Sequence, residues 1–76
     1  MTPRRIEELA NEVAQEIGQH FTGFTIQRAD VVLGGLDVIF SWKQPTRTVV
    51  HLQIRDQDTD TVIKAEIRSQ LTNQLG

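Results

Sequence analysis

The chain of 76 residues contains no cysteine, which excludes a disulfide scaffold, a thiolate metal site and a cysteine nucleophile. Secreted domains of this size usually carry such staples, so the expected location is cytoplasmic. Long apolar runs are missing too. Met1-Thr2-Pro3-Arg4-Arg5 is not followed by seven or more apolar residues, which predicts no secretory signal. Nothing approaches the roughly 20 residues of a membrane-spanning helix, and no membrane association is expected. Basic charge is scarce: the formal net charge is −2, whereas general affinity for nucleic acid or an anionic membrane needs a basic face. There is no internal repeat, low-complexity tract or linker. One soluble domain over 1–76 is expected, with one layer of sheet under one layer of helix. A chain this short buries only about 60% of its unfolded surface. Its stability is marginal, and forming a homodimer would relieve that.

Thr2-Pro3 has the chemistry of a helix start, a hydroxyl N-cap followed by proline in the first turn. Ile6, Leu9, Ala10, Val13, Ile17 and Phe21 then recur at helical spacing and predict a first helix over about 3–21. From Phe24 the period becomes two. Phe24 and Ile26 share one phase, Ala29, Val31 and Leu33 the other, so keeping both sets inward requires a bulge near Gln27-Arg28. Gly34-Gly35 reads as a two-residue hairpin turn that pairs Leu33 with Leu36, Val31 with Val38 and Ala29 with Phe40. A second strand over 36–43 sends Leu36, Val38, Phe40 and Trp42 inward. Pro45-Thr46-Arg47 is the expected second turn. A third strand over about 48–56 then sets Trp42 opposite Val50, Phe40 opposite Leu52 and Val38 opposite Ile54. The same register places Asp37 opposite Arg55 and Ser41 opposite His51 on the outer face. Val62, Ile63, Ile67, Leu71 and Leu75 form the stripe of a last helix over about 60–75, entered through capping residues in Asp56–Thr61.

The predicted fold is therefore α+β in the order α-β-β-β-α, a three-stranded antiparallel sheet of order 1-2-3 with both helices on its one apolar face. This order resembles that of a double-stranded-RNA-binding domain. Such domains carry a lysine-rich start to the last helix that grips phosphates. Here Asp58, Asp60 and Lys64 stand there, so the resemblance covers topology alone.

Candidate chemistry is thin. Asp56, Asp58 and Asp60 alternate as in a calcium loop, but Thr61 and Ile67 replace the glycine and the bidentate glutamate of that motif, and capping accounts for the acids. His20 is expected at the end of the first helix, near the negative end of its dipole. Ser41 and His51 form a nucleophile-like pair without an orienting acid or oxyanion site. Gly34-Gly35 precedes no helix and no lysine, so it is a turn rather than a phosphate loop. Trp42 and Phe40 read as core. No metal, cofactor or catalytic residue is expected.

What remains is surface. The outer sheet face, with Arg28, Ile39, Ser41, His51, Gln53 and Arg55, is the candidate binding face, and Lys43 with Arg47 forms a small basic tip. The edge of the third strand over 49–55 could accept a strand from a partner. The expected function is a small non-enzymatic protein-interaction or accessory domain with a protein partner or a second copy. Weak RNA binding on the double-stranded-RNA-binding-domain-like topology is the alternative.

Overall fold

The computed structural model describes residues 2–75. They form α1 (Pro3–Glu16), β1 (Thr25–Val32), β2 (Gly35–Trp42), β3 (Thr48–Arg55) and α2 (Asp60–Leu75). The strands lie in the order β1-β2-β3 and are antiparallel, so the α+β fold is the one predicted.

Thr2 caps α1: its Oγ1 accepts from the Arg5 N–H at 3.2 Å, and Pro3 occupies the first turn. The helix stops five residues earlier than its apolar stripe predicts. Gly18 takes φ 75°, its N–H bonds the Gln15 carbonyl at 3.1 Å, and the Gln19 N–H bonds the Ala14 carbonyl at 2.9 Å. That is a Schellman closure, which a positive-φ glycine permits. His20 is consequently an exposed loop residue and caps no helix. Ile17 and Phe21 still pack on the core from outside the helix.

The bulge lies where the change of phase requires it. Ile26 faces Phe40 and Arg28 faces Ile39, leaving Gln27 as the extra residue. Both turns, however, are centred one residue earlier than predicted. Val32 pairs with Gly35, so Leu33-Gly34 makes the first turn, and Gly34 at φ 81° is its one positive-φ position, as a type II turn requires. Gly35 stays in the ladder for another reason: a Cβ there would lie 1.9 Å from the Ile54 carbonyl oxygen. In the second turn Trp42 pairs with Thr48, and Lys43–Arg47, with a cis Gln44–Pro45 bond, span the gap. Thr22 is bridged to Gln44 across this turn, its carbonyl accepting from the Lys43 N–H at 2.9 Å.

Each pairing therefore slides by two residues. Leu36 faces Val31 and Ile54, Val38 faces Ala29 and Leu52, and Phe40 faces Ile26 and Val50. A slide of two keeps every side chain on its predicted face.

Val38, Phe40, Trp42, Val50, Leu52 and Ile54 are buried beneath Ile6, Leu9 and Val13 of α1 and Ile63, Ile67 and Leu71 of α2. Trp42, 1% exposed, stacks on Phe21 at 4.7 Å and meets Phe40 edge-on at 5.4 Å. It is core, as expected, and so is Phe40. Val62 and Leu75, placed by sequence in the stripe of α2, are exposed. The helices run side by side in the same direction, joined by Arg5 to Asp60, by Lys64 to Glu12 and Glu16, and by Arg68 to Glu16. This layer lies over β2 and β3. It does not reach the second half of β1: Ala29 is exposed, Val31 is 89% exposed, and Leu33 in the adjoining turn is fully exposed.

Candidate binding surfaces: the outer face and the two sheet edges

The pairings arrange the outer face in four rows across β1, β2 and β3: Thr25-Ser41-Val49, Arg28-Ile39-His51, Asp30-Asp37-Gln53 and Val32-Gly35-Arg55. All six candidates from the sequence stand on this face, in changed company. His51 faces Ile39, and its Nε2 lies 2.6 Å from Oδ1 of Asp37, a diagonal neighbour. Ser41 is buried and its Oγ accepts from Gln27 Nε2 at 3.2 Å. The Ser41–His51 pair is therefore not formed. Arg55 faces Gly35 in place of Asp37.

The middle rows carry a charge conflict with its own remedy. Asp30 and Asp37 face each other directly, an arrangement that repels. Arg28 bonds Asp30 from one side and His51 meets Asp37 from the other. The hydrogen bond to Asp30 holds the Arg28 guanidinium above its ordinary pKa. Lys43 and Arg47, the predicted basic tip, are exposed and border a shallow hollow of about 290 Å³ with Thr25, Gln27 and Ser41. The basic residues of α2, Lys64 and Arg68, are both engaged by Glu16, which the hydrogen bond from Lys64, then that from Arg68, keeps below the usual carboxylate range. The acids before α2 act locally: Asp58 Oδ2 accepts from the Arg55 N–H at 2.9 Å, Thr59 Oγ1 accepts from the Val62 N–H at 3.3 Å as the cap, and Asp60 binds Arg5.

The edges of the sheet were read incompletely from sequence. Side chains of α2 close the edge of β3. Gln70 Nε2 donates to the His51 carbonyl at 2.6 Å while its Oε1 accepts from the His51 N–H at 3.0 Å. Gln74 repeats this at Val49, at 2.6 and 3.3 Å. One turn apart on the helix, the two amides match alternate outward-facing residues of the strand. Asp58 treats Arg55 likewise, its backbone N–H donating to the Arg55 carbonyl at 2.9 Å and its carboxylate accepting in return. The β3 edge is thus occupied at Val49, His51 and Arg55, while the outward backbone groups of Gln53 between them have no such partner among the described residues. This corrects the expectation from sequence. Gln70 and Gln74 look like ordinary solvent-facing positions, and only the docking angle of α2 reveals their role.

The edge of β1 is the opposite case. Since Val49 and His51 point their backbone groups away from β2, alternation across the ladders leaves those of Ala29 and Val31 pointing outward from β1. Among the described residues no side chain bonds them, and Ala29, Val31, Val32 and Leu33 are all exposed.

No protein-family model matches the chain, nor does any curated protein or solved structure. Among the described residues no helix is long and apolar enough to cross a membrane.

Proposed function

We propose that the chain is a non-enzymatic protein-interaction domain that engages its partner at the open edge of β1 and the apolar turn beside it. The contrast between the two edges carries this proposal. On β3 the outward backbone groups of Val49, His51 and Arg55 have partners and, among the described residues, only those of Gln53 between them do not, whereas Ala29 and Val31 offer theirs in succession beside the exposed Val32 and Leu33. An unpaired edge flanked by apolar side chains binds extended segments: main-chain hydrogen bonds supply affinity and alternate side chains supply specificity. The mixed outer face adds polar contacts at its margin, through Arg28 and Asp30.

A photo-crosslinking residue at Val31, with one at the exposed Thr72 of α2 as control, tests this in the native cell. Adducts at Val31 alone are expected, with alternate residues of one extended segment captured on the partner. Equal labelling at Thr72, or no adduct at Val31, would overturn it.

A further inference from the structure

Building on the β1 edge as the contact surface, we propose that its occupant is a second copy of the chain, joined strand to strand about a two-fold axis at Val31 into a continuous six-stranded antiparallel sheet.

The choice of axis follows from what each register would bring together. Centring on Asp30 sets the two Asp30 carboxylates opposite one another at the closest type of antiparallel pair, and like charges there repel. Centring on Ala29 sets Val31 against Gln27, the bulged residue where the regular ladder of β1 ends. Centring on Val31 uses the regular strand over 29–32 and the first residue of the adjoining turn, Leu33. It pairs Val31 with its own copy and Ala29 with Leu33, so residues of the helix-side face meet only apolar partners. The Asp30 carboxylates move off the axis and face Val32.

A two-fold axis perpendicular to the sheet keeps both helical layers on the same side. The bare Ala29, Val31 and Leu33 of each copy then join into one apolar floor between those layers, which removes surface that neither copy covers alone. Five residues per copy bury far less than the roughly 800 Å² per partner of a standard interface. The pair is accordingly a weak, concentration-driven dimer.

The absence of cysteine makes the register directly measurable. Val31→Cys, Ala29→Cys and Asp30→Cys each introduce one thiol at a position outside the core. Directly opposed residues of a hydrogen-bonded pair have Cα atoms about 5.5 Å apart, within the range a disulfide spans. Under mild oxidation at high micromolar concentration, Val31→Cys should form the disulfide-linked dimer at least about tenfold faster than the other two, and denaturant should abolish the difference. Sedimentation of the unmodified chain over the same range should show a monomer passing to a dimer, and Val31→Lys should remain monomeric. Fastest cross-linking at Ala29 or Asp30, or a monomer at every concentration, would overturn the proposal. A monomer whose Val31 probe captures an extended segment of another protein would overturn the second copy and leave the β1 edge standing as the binding surface.

Discussion

The two edges of this sheet have similar backbones and opposite fates. β3 and β1 are each eight residues long, and each carries a row of backbone donors and acceptors on its outer side. On β3 a helix lies alongside and supplies surrogate partners from Gln70 and Gln74, and the turn before it adds Asp58. On β1 a bulge disrupts the first half, and the second half is left with apolar side chains and no cover. A bulge and a covering helix are both known ways to blunt an edge. Here the bulge interrupts the first half of β1, and the helix covers β3 at Val49 and His51. The second half of β1 is the longest stretch left open, and it is where the proposed contact lies.

Replacing side chains beside each edge should break this symmetry most. Leu71 is fully buried and holds α2 against β3. Leu71→Ala is expected to cost about 2–5 kcal/mol in urea unfolding, as truncation of a buried leucine does. Leu33, fully exposed in the turn next to β1, should cost within about 0.5 kcal/mol when changed to alanine. Comparable losses from the two would mean that the β1 turn is covered after all.

Next in size, Gln70→Ala with Gln74→Ala removes four hydrogen bonds from the β3 edge. Each contributes about 0.5–1.5 kcal/mol net, and water replaces part of that at this exposed site, so a loss of about 2 kcal/mol is expected. Amide exchange should accelerate at Val49 and His51 while Ala29 and Val31, already open, stay unchanged. Unaltered exchange at Val49 and His51 would show that the glutamines do not guard the strand.

Acid should act more gently on the same side. Glu16 is held below its ordinary pKa of 4.5, first by the hydrogen bond from Lys64 and then by that from Arg68. A carboxyl depressed in the folded chain stabilises it above the unfolded pKa, and that contribution disappears as pH falls through the lowered folded value. Thermal melts between pH 5 and pH 2 should therefore decline less in Glu16→Gln than in the parent. The effect is small because the pair is exposed and screened. Parallel pH profiles for the two proteins would refute it.

The smallest expected effect on stability is that of Val31→Lys, whose unfolding midpoint in dilute solution, below the range of self-association, should match the parent within error. A measurable loss would show that Val31 is packed in the isolated chain.

The faces of the sheet were legible in the sequence because apolar alternation reports parity. The bulge followed from a break in that parity at Ile26 and Ala29. Register was not legible. Moving each turn by one residue slides the pairing by two, and a slide of two leaves every apolar residue facing inward, so the pattern used to find the register cannot detect the error. At Gly34-Gly35 the ambiguity is acute: one glycine is needed for its positive φ and the other for close approach to Ile54, and composition does not say which is which. The aspartate pair at Asp30 and Asp37, and with it the position of His51, depends on that register. The exposure of β1 was hidden for a different reason. Ala29, Val31 and Leu33 have the composition of a covered strand, and only the placement of α1 and α2 over β2 and β3 shows that nothing covers them.

The glutamine clasps on β3 also limit assembly. A primary amide presents a donor and an acceptor as a peptide group does, but it belongs to no strand, so nothing can be added beyond it. With Val49, His51 and Arg55 occupied in this way, β3 offers no run of open residues through which the proposed β1 pairing could extend into a fibre. In the proposed pairing, assembly would close after two copies, the two-fold contact using up the only edge with successive open residues.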